Sequence, residues 1–164
     1  MDVLRSTTGS AITAVQFSPV GGGSINQTWR VITNTKAQYF CKLNSAKKFP
    51  GLFRSELQGL ELLGKQQVIR VPQVIACTET GDHQLLLLEW IEQGIKTESF
   101  WQLFGKQLAA LHQVTGSYFG LDSDNYMGAL PQHNNPSGNW CDFFAMQRLE
   151  PQVRMAVDSG LLPT

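Results

Sequence analysis

Between Ala14 and Glu89 the spacing of apolar side chains changes period twice, from strand-like alternation to a helical repeat and back. Ala14-Val15-Gln16-Phe17-Ser18-Pro19-Val20 reads as a short strand, ended by proline and by Gly21-Gly22-Gly23. Residues 28–33 resume the alternation, with Trp29, Val31 and Thr33 on one side, so the glycines fall in the turn of a hairpin. A second turn, Asn34-Thr35-Lys36-Ala37, leads into a third strand at 38–43. Phe53, Leu57, Leu60 and Leu63 then mark one face of a helix that Gly64 is expected to end. Two further strands, 71–77 and 83–89, are joined by a turn at Thr80-Gly81-Asp82. The predicted order is β-β-β-α-β-β.

From Thr97 the pattern is helical again, with Phe100, Phe104, Leu108 and Leu111 on one face and a stop near Gly116. Residues 116–139 are dense in Gly, Pro, Asn, Asp and Ser and read as loop, and 140–157 read as a helix interrupted near Pro151. A chain of 164 residues has room for one ordinary domain, or for one small lobe and part of another. We place a first lobe at 1–91 and the start of an α-rich one at 92–164.

Thirteen basic residues balance thirteen acidic ones, so no net field favours nucleic acid or anionic lipid, and neither is expected as a partner. The N-terminal Met1-Asp2-Val3-Leu4-Arg5-Ser6 has no apolar core of a secretion signal. The most apolar run, from Leu85 to Ile91, is broken by Glu89 and is too short to span a bilayer. A cytoplasmic protein is expected. Cys41, Cys77 and Cys141 are widely spaced, and neither they nor His83, His112 and His133 stand at metal-ligand spacing.

Three glycines in a tight turn let backbone N–H groups approach phosphate oxygens, although an ordinary hairpin turn would use the same residues. On the third strand Phe40 and Lys42 face one side, Cys41 and Leu43 the other. A lone lysine there fits a solvated strand face. Glu56, three residues after Phe53 and four before Leu60, changes that reading, because a carboxylate near a buried helix face needs a cation. Kinases hold a third-strand lysine with a glutamate of the following helix, and Lys42 and Glu56 stand in that order and spacing. The fifth strand ends in Glu89-Trp90-Ile91, where a kinase chain leaves its sheet lobe and offers backbone groups to adenine; Trp90 reads equally well as a core aromatic.

Taken together, Gly22-Gly23-Ser24-Ile25-Asn26, Phe40-Cys41-Lys42-Leu43-Asn44, Ser55-Glu56-Leu57-Gln58-Gly59-Leu60, Leu88-Glu89-Trp90-Ile91, Asp124-Asn125-Tyr126-Met127-Gly128 and Arg148-Leu149-Glu150-Pro151-Gln152 make a more specific pattern. On these segments the chain resembles the fructosamine kinase (ketosamine-3-kinase) family of the protein-kinase-like superfamily. The resemblance implies an α+β, protein-kinase-like fold: a five-stranded antiparallel sheet with one helix, followed by the first helices of an incomplete helical lobe. It implies ATP and Mg2+ as cofactors, and phosphorylation of the sugar 3-hydroxyl of free or protein-linked ketosamines. By position, Gly22, Gly23, Ser24 and Asn26 would cover the triphosphate, Lys42 would hold its oxygens, Glu56 would orient Lys42, and Glu89, Trp90 and Ile91 would meet adenine. Relatives with cysteine in the glycine loop have a possible redox handle there; this chain has Ser24.

The resemblance also implies a His-Gly-Asp-Leu-Trp segment that supplies the catalytic carboxylate, with metal-binding side chains after it. No His-Gly-Asp occurs among these 164 residues. Asp122, Asp124 and Asp142 read as turn and cap residues, His112 as a helix-terminal cation, and Trp140, Phe143 and Phe144 as core. We therefore expect no catalytic base and no metal ligand in this chain, no turnover by it alone, and self-association through apolar surface of the second lobe. Two alternatives share the early motifs: a small-molecule kinase of the aminoglycoside or choline type, and a non-catalytic nucleotide-binding module.

Overall fold

A computed structural model describes residues 14–163. The chain divides into two compact units, Met1–Val114 and Thr115–Thr164. The helix of residues 100–112 groups with the first unit.

In the first unit five strands form one antiparallel sheet: β1 Ala14–Pro19, β2 Gln27–Thr33, β3 Gln38–Ser45, β4 Val74–Thr80 and β5 His83–Glu89, in the order β1-β2-β3-β5-β4. Directly opposed residues share a face. Thr28, Lys42 and Leu86 are opposed across β2, β3 and β5, as are Arg30, Phe40 and Leu88. Trp29, Cys41 and Leu87 line up on the reverse face. There Val31, Cys41 and Leu87 form a buried cluster, with Trp29, Tyr39, Ile75, Ala76 and Leu85 packed around it. The alternation of 28–33 is therefore borne out, since Val31 and Thr33 are both buried.

Helix α1, Leu52–Lys65, packs on β4 and β5 and places Phe53 fully out of solvent. Its start depends on a buried amide. Gln84, 2% exposed within a run of leucines, donates to the carbonyls of Phe49 (2.6 Å) and Ser45 (3.0 Å) and accepts from Phe53 N–H at 3.2 Å. It thereby satisfies one of the N–H groups that a helix start leaves without an intrahelical partner. Gly64 does not end this helix. The chain continues through Lys65 and leaves it by Gln67 in the left-handed region, φ 54°. β4 likewise begins at Val74 rather than 71, after Pro72, which has no N–H to give to a ladder.

Residues 90–97 carry no regular secondary structure and lead to helix α2, Phe100–His112, which contains no buried residue.

The second unit corrects the expectation of plain loop. Strands β6 Asn125–Met127 and β7 Leu130–Gln132 form a two-stranded ribbon whose turn places Gly128 at φ 60°, a conformation open to glycine at little cost. A bridge between Phe119 and Ser137 closes a wider loop around it. Gly120, at φ 120°, is required by proximity as well, because a Cβ there would lie 2.8 Å from the Asn134 carbonyl oxygen. Asn134, 3% exposed, is bonded to Ser123 O and to the side chains of Asn125 and Arg148.

The final helical run is α3 Trp140–Phe144, a π-helical turn at Ala145–Leu149, and α4 Glu150–Asp158. Asn139 caps it by accepting from Cys141 N–H (2.8 Å) and Asp142 N–H (3.3 Å). The irregularity predicted at Pro151 falls one turn earlier, because a proline lacks the N–H and crowds the carbonyl four residues before it. Pro151 itself stands in the first turn of α4. Of the three aromatics expected in the core, Phe143 is buried, whereas Trp140 and Phe144 are exposed.

Candidate functional site

Lys42 occupies the middle of β3 on the face that α1 approaches, and Glu56 lies one turn into that helix. The Lys42 Nζ donates to Glu56 Oε1 at 2.6 Å, with side-chain exposures of 20% and 29%. A charge-assisted bond of this length, mostly shielded from water, fixes the ammonium in one direction. An ammonium has three donors, so two remain for another acceptor.

The glycine loop closes onto the same strand. Val20 N–H donates to Thr28 O at 3.0 Å and Thr28 Oγ1 donates to Val20 O at 2.6 Å, so the ends of the loop meet opposite Lys42. Gly22 has φ 103° and no atom within 4 Å of a built Cβ; Gly23 is tighter, 3.0 Å from Asn26 O. Gly22, Gly23 and Ser24 are exposed. Asn26 is held: Asn44, two residues after Lys42 on the same face, donates to Asn26 Oδ1 at 2.6 Å and to Ile25 O at 3.1 Å. Asn44 thus ties the loop to the lysine strand, a role that sequence spacing alone did not assign.

Glu89, Trp90 and Ile91 lie at the other end of β3, where Tyr39 opposes Glu89. Three residue steps along the strand separate Tyr39 from Lys42, about 10 Å. The carboxylate of Glu89 is engaged by Arg70 and by Gln73 N–H (3.3 Å), and its backbone N–H donates to Gln73 O at 2.8 Å. Trp90 lies against Phe40, ring centres 6.3 Å apart, with the Arg30 guanidinium 4.6 Å from its ring centre. Ile91 is exposed.

On the reverse face, burial pushes the Cys41 thiol up to about 11, which leaves it a core group rather than a nucleophile. A recess of about 310 Å³ opens between Ile25, Gln27, Asn44, Asp82 and His83, and neither Lys42 nor Glu56 lines it. Among the described residues no group of three or more His, Cys, Asp or Glu side chains could hold a metal ion. Asp122 bonds the Tyr118 hydroxyl; Asp124 pairs with His133 at 2.7 Å and accepts from Asn134 N–H at 2.9 Å. Asp142 lies in the first turn of α3. No described helix is long and apolar enough to cross a membrane.

An oriented ammonium beneath a glycine loop can bind a polyanion. The sequence matches the family described as fructosamine kinase over residues 1–162. It is 40% identical over 154 residues to the probable ketoamine kinase of Synechocystis sp., covering 93% of this chain and 52% of that protein. A probable ketoamine kinase of Enterococcus faecium is 39% identical over 142 residues, covering 87% and 49%. The chain therefore spans about half the length of these relatives. Among solved structures, a provisionally named fructosamine-3-kinase of Haemophilus somnus superposes with TM-score 0.89 at 28% identity, covering 98% of this chain and 54% of its own.

Proposed function

The chain belongs to the fructosamine kinase family, and from that premise we propose that it forms the nucleotide-holding part of an ATP-dependent ketosamine-3-kinase. The observation that carries the proposal is the Lys42–Glu56 pair on the strand that Asn44 ties to the glycine loop. In this reading the two remaining Lys42 donors bind triphosphate oxygens, and Glu56 keeps the ammonium aimed at them. Backbone N–H groups of Gly22, Gly23 and Ser24 cover the same phosphates, with Asn26 anchoring the end of the loop. Backbone groups of Glu89, Trp90 and Ile91 meet the adenine, about 10 Å along β3, while the Glu89 carboxylate stays committed to Arg70.

The transferred group is the γ-phosphoryl and the acceptor the sugar 3-hydroxyl of a free or protein-linked ketosamine, in a cytoplasmic setting. When bound, magnesium neutralises phosphate charge; the described residues gather no ligand set for it. With no His-Gly-Asp among the 164 residues, the chain by itself binds ATP without turning over a ketosamine.

Titration calorimetry with ATP tests the first half of the reading. Lys42→Met should weaken binding roughly tenfold or more, the scale of a lost charge-assisted hydrogen bond. No binding by the wild-type chain would sink it. For the second half, the chain is joined to the remaining half of the Synechocystis relative and assayed with fructoselysine. Phosphorylation that Lys42→Met abolishes is expected. A chimera that folds, binds ATP and leaves fructoselysine untouched would reject the ketosamine assignment.

A further inference from the structure

We infer that Arg30 is a positioning residue for the nucleotide base, a strut from β2 that fixes the segment following β5; the inference rests on the nucleotide reading above. Arg30 opposes Phe40 in the β2–β3 register, on the same face as Lys42. Its guanidinium is engaged on three sides. Nε donates to Gln38 Oε1 at 2.8 Å and one terminal nitrogen donates to the same oxygen, which sets the plane of the group. That nitrogen also reaches Glu92 Oε1 at 3.0 Å. The guanidinium carbon lies 4.6 Å from the Trp90 ring centre, and the Phe40 ring centre lies 6.3 Å from it.

Residues 90–97 have no ladder or helix to hold them, and from Ile91 they are exposed. Arg30 therefore reaches across from the sheet to both Trp90 and Glu92, the residues that bracket Ile91. The indole Nε1–H of Trp90 is buried and has no hydrogen-bond partner among the described residues, so no polar bond from them orients the ring. Its ring is placed by packing against Phe40 and by the cation beside it. An exposed ion pair to Glu92 alone would contribute little. The planar guanidinium matters because it stacks and bonds at once, which an ammonium at this position cannot do.

The test compares wild type, Arg30→Gln and Arg30→Lys in the 164-residue chain, titrated with ATP and separately with inorganic tripolyphosphate. A strut for the base predicts that both substitutions weaken ATP about tenfold, the scale of a lost cation–π contact with its associated bonds. Tripolyphosphate, which lacks the base, should bind all three proteins equally, and amide hydrogen exchange at 90–97 should quicken in both variants. Unchanged ATP affinity, or equal losses for ATP and tripolyphosphate, would overturn the inference. Wild-type chain that binds neither compound would instead overturn the nucleotide reading on which it stands.

Discussion

Asp82 shows how one carboxylate in this chain couples local structure to pH. It stands in the β4–β5 turn, where its Oδ1 accepts from the Lys47 backbone N–H at 2.7 Å and from the Ser45 hydroxyl at 2.8 Å. Its own carbonyl accepts from Ala46 N–H at 2.9 Å, so the turn is fastened to the chain leaving β3. The Lys47 N–H, and after it the Ser45 hydroxyl, hold the Asp82 carboxyl below the usual carboxylate range. Because the folded state takes up this proton less readily than the unfolded chain, the stabilisation is complete above the unfolded value of about 3.9. It is lost as pH falls through the lower folded value. Asp82→Asn should therefore melt below wild type at pH 7, and the gap should narrow below about pH 4. Thermal midpoints measured from pH 3 to pH 7 check this, and a gap of constant size would assign the effect to shape instead of charge. Asp82, Asn44 and Gln84 share a feature that explains why their roles were not legible: each bonds groups 18 to 39 residues away, such as Asn26, Lys47 and Phe49. Side-chain type and spacing carry no mark of such a partner. The Lys42–Glu56 pair was legible because a cation on an apolar strand and a carboxylate near a buried helix face each leave a charge that only the other can satisfy.

At the scale of elements, the sheet and α1 form one interlocked body through Phe53. This side chain is fully buried, and the backbone N–H of the same residue is bonded to Gln84 on β5. Phe53→Ala should cost about 3–5 kcal/mol, the transfer term plus the cavity it leaves. Urea denaturation would show it as a lower midpoint at unchanged slope, and a loss below about 1 kcal/mol would mean that the site collapses around the smaller residue. The order β-β-β-α-β-β was readable because alternation and helical repeat differ in period, and long runs such as 28–33 or Phe53 to Leu63 average over local exceptions. Boundaries were not. Gly64 has the residue type of a helix end, yet the helix runs one residue further, to Lys65, and Gln67 takes the left-handed conformation. The β6–β7 ribbon was missed for the opposite reason. Three-residue strands containing Pro131 carry no repeat long enough to register, and they form on the glycine turn at Gly128. The π-helical turn is a further case: proline signalled a break, but how the chain relieves it, by widening the preceding turn, depends on the helix continuing on both sides.

For the molecule as a whole, the distribution of apolar surface is the physical fact with the widest consequence. In α2, Trp101 is 65% exposed, Leu103 57% and Phe104 41%; in the final helical run Met146 is 58% exposed and Val153 53%. Soluble monomers rarely leave so many large apolar side chains in water, since each exposed helical face forgoes burial worth roughly 25 cal/mol per Å². In α2 the aromatics hold one another instead: Phe100 and Phe104 are stacked, Trp101 meets both edge-on, and the Lys96 ammonium lies 4.9 Å from the Trp101 ring centre. That arrangement orders the rings without removing them from solvent. The chain spans about half the length of its curated relatives. We propose that at high concentration the 164-residue chain covers these faces by associating with itself. Static light scattering should then give a mass that rises with protein concentration above the 18.2 kDa of one chain. Replacing Trp101 and Leu103 with lysine should lower that mass and leave the ATP binding proposed for Lys42 at its wild-type level, because neither residue belongs to the sheet that carries Lys42. A constant mass of one chain across the whole concentration range would show that water tolerates these faces, and the proposal of association would fall with it.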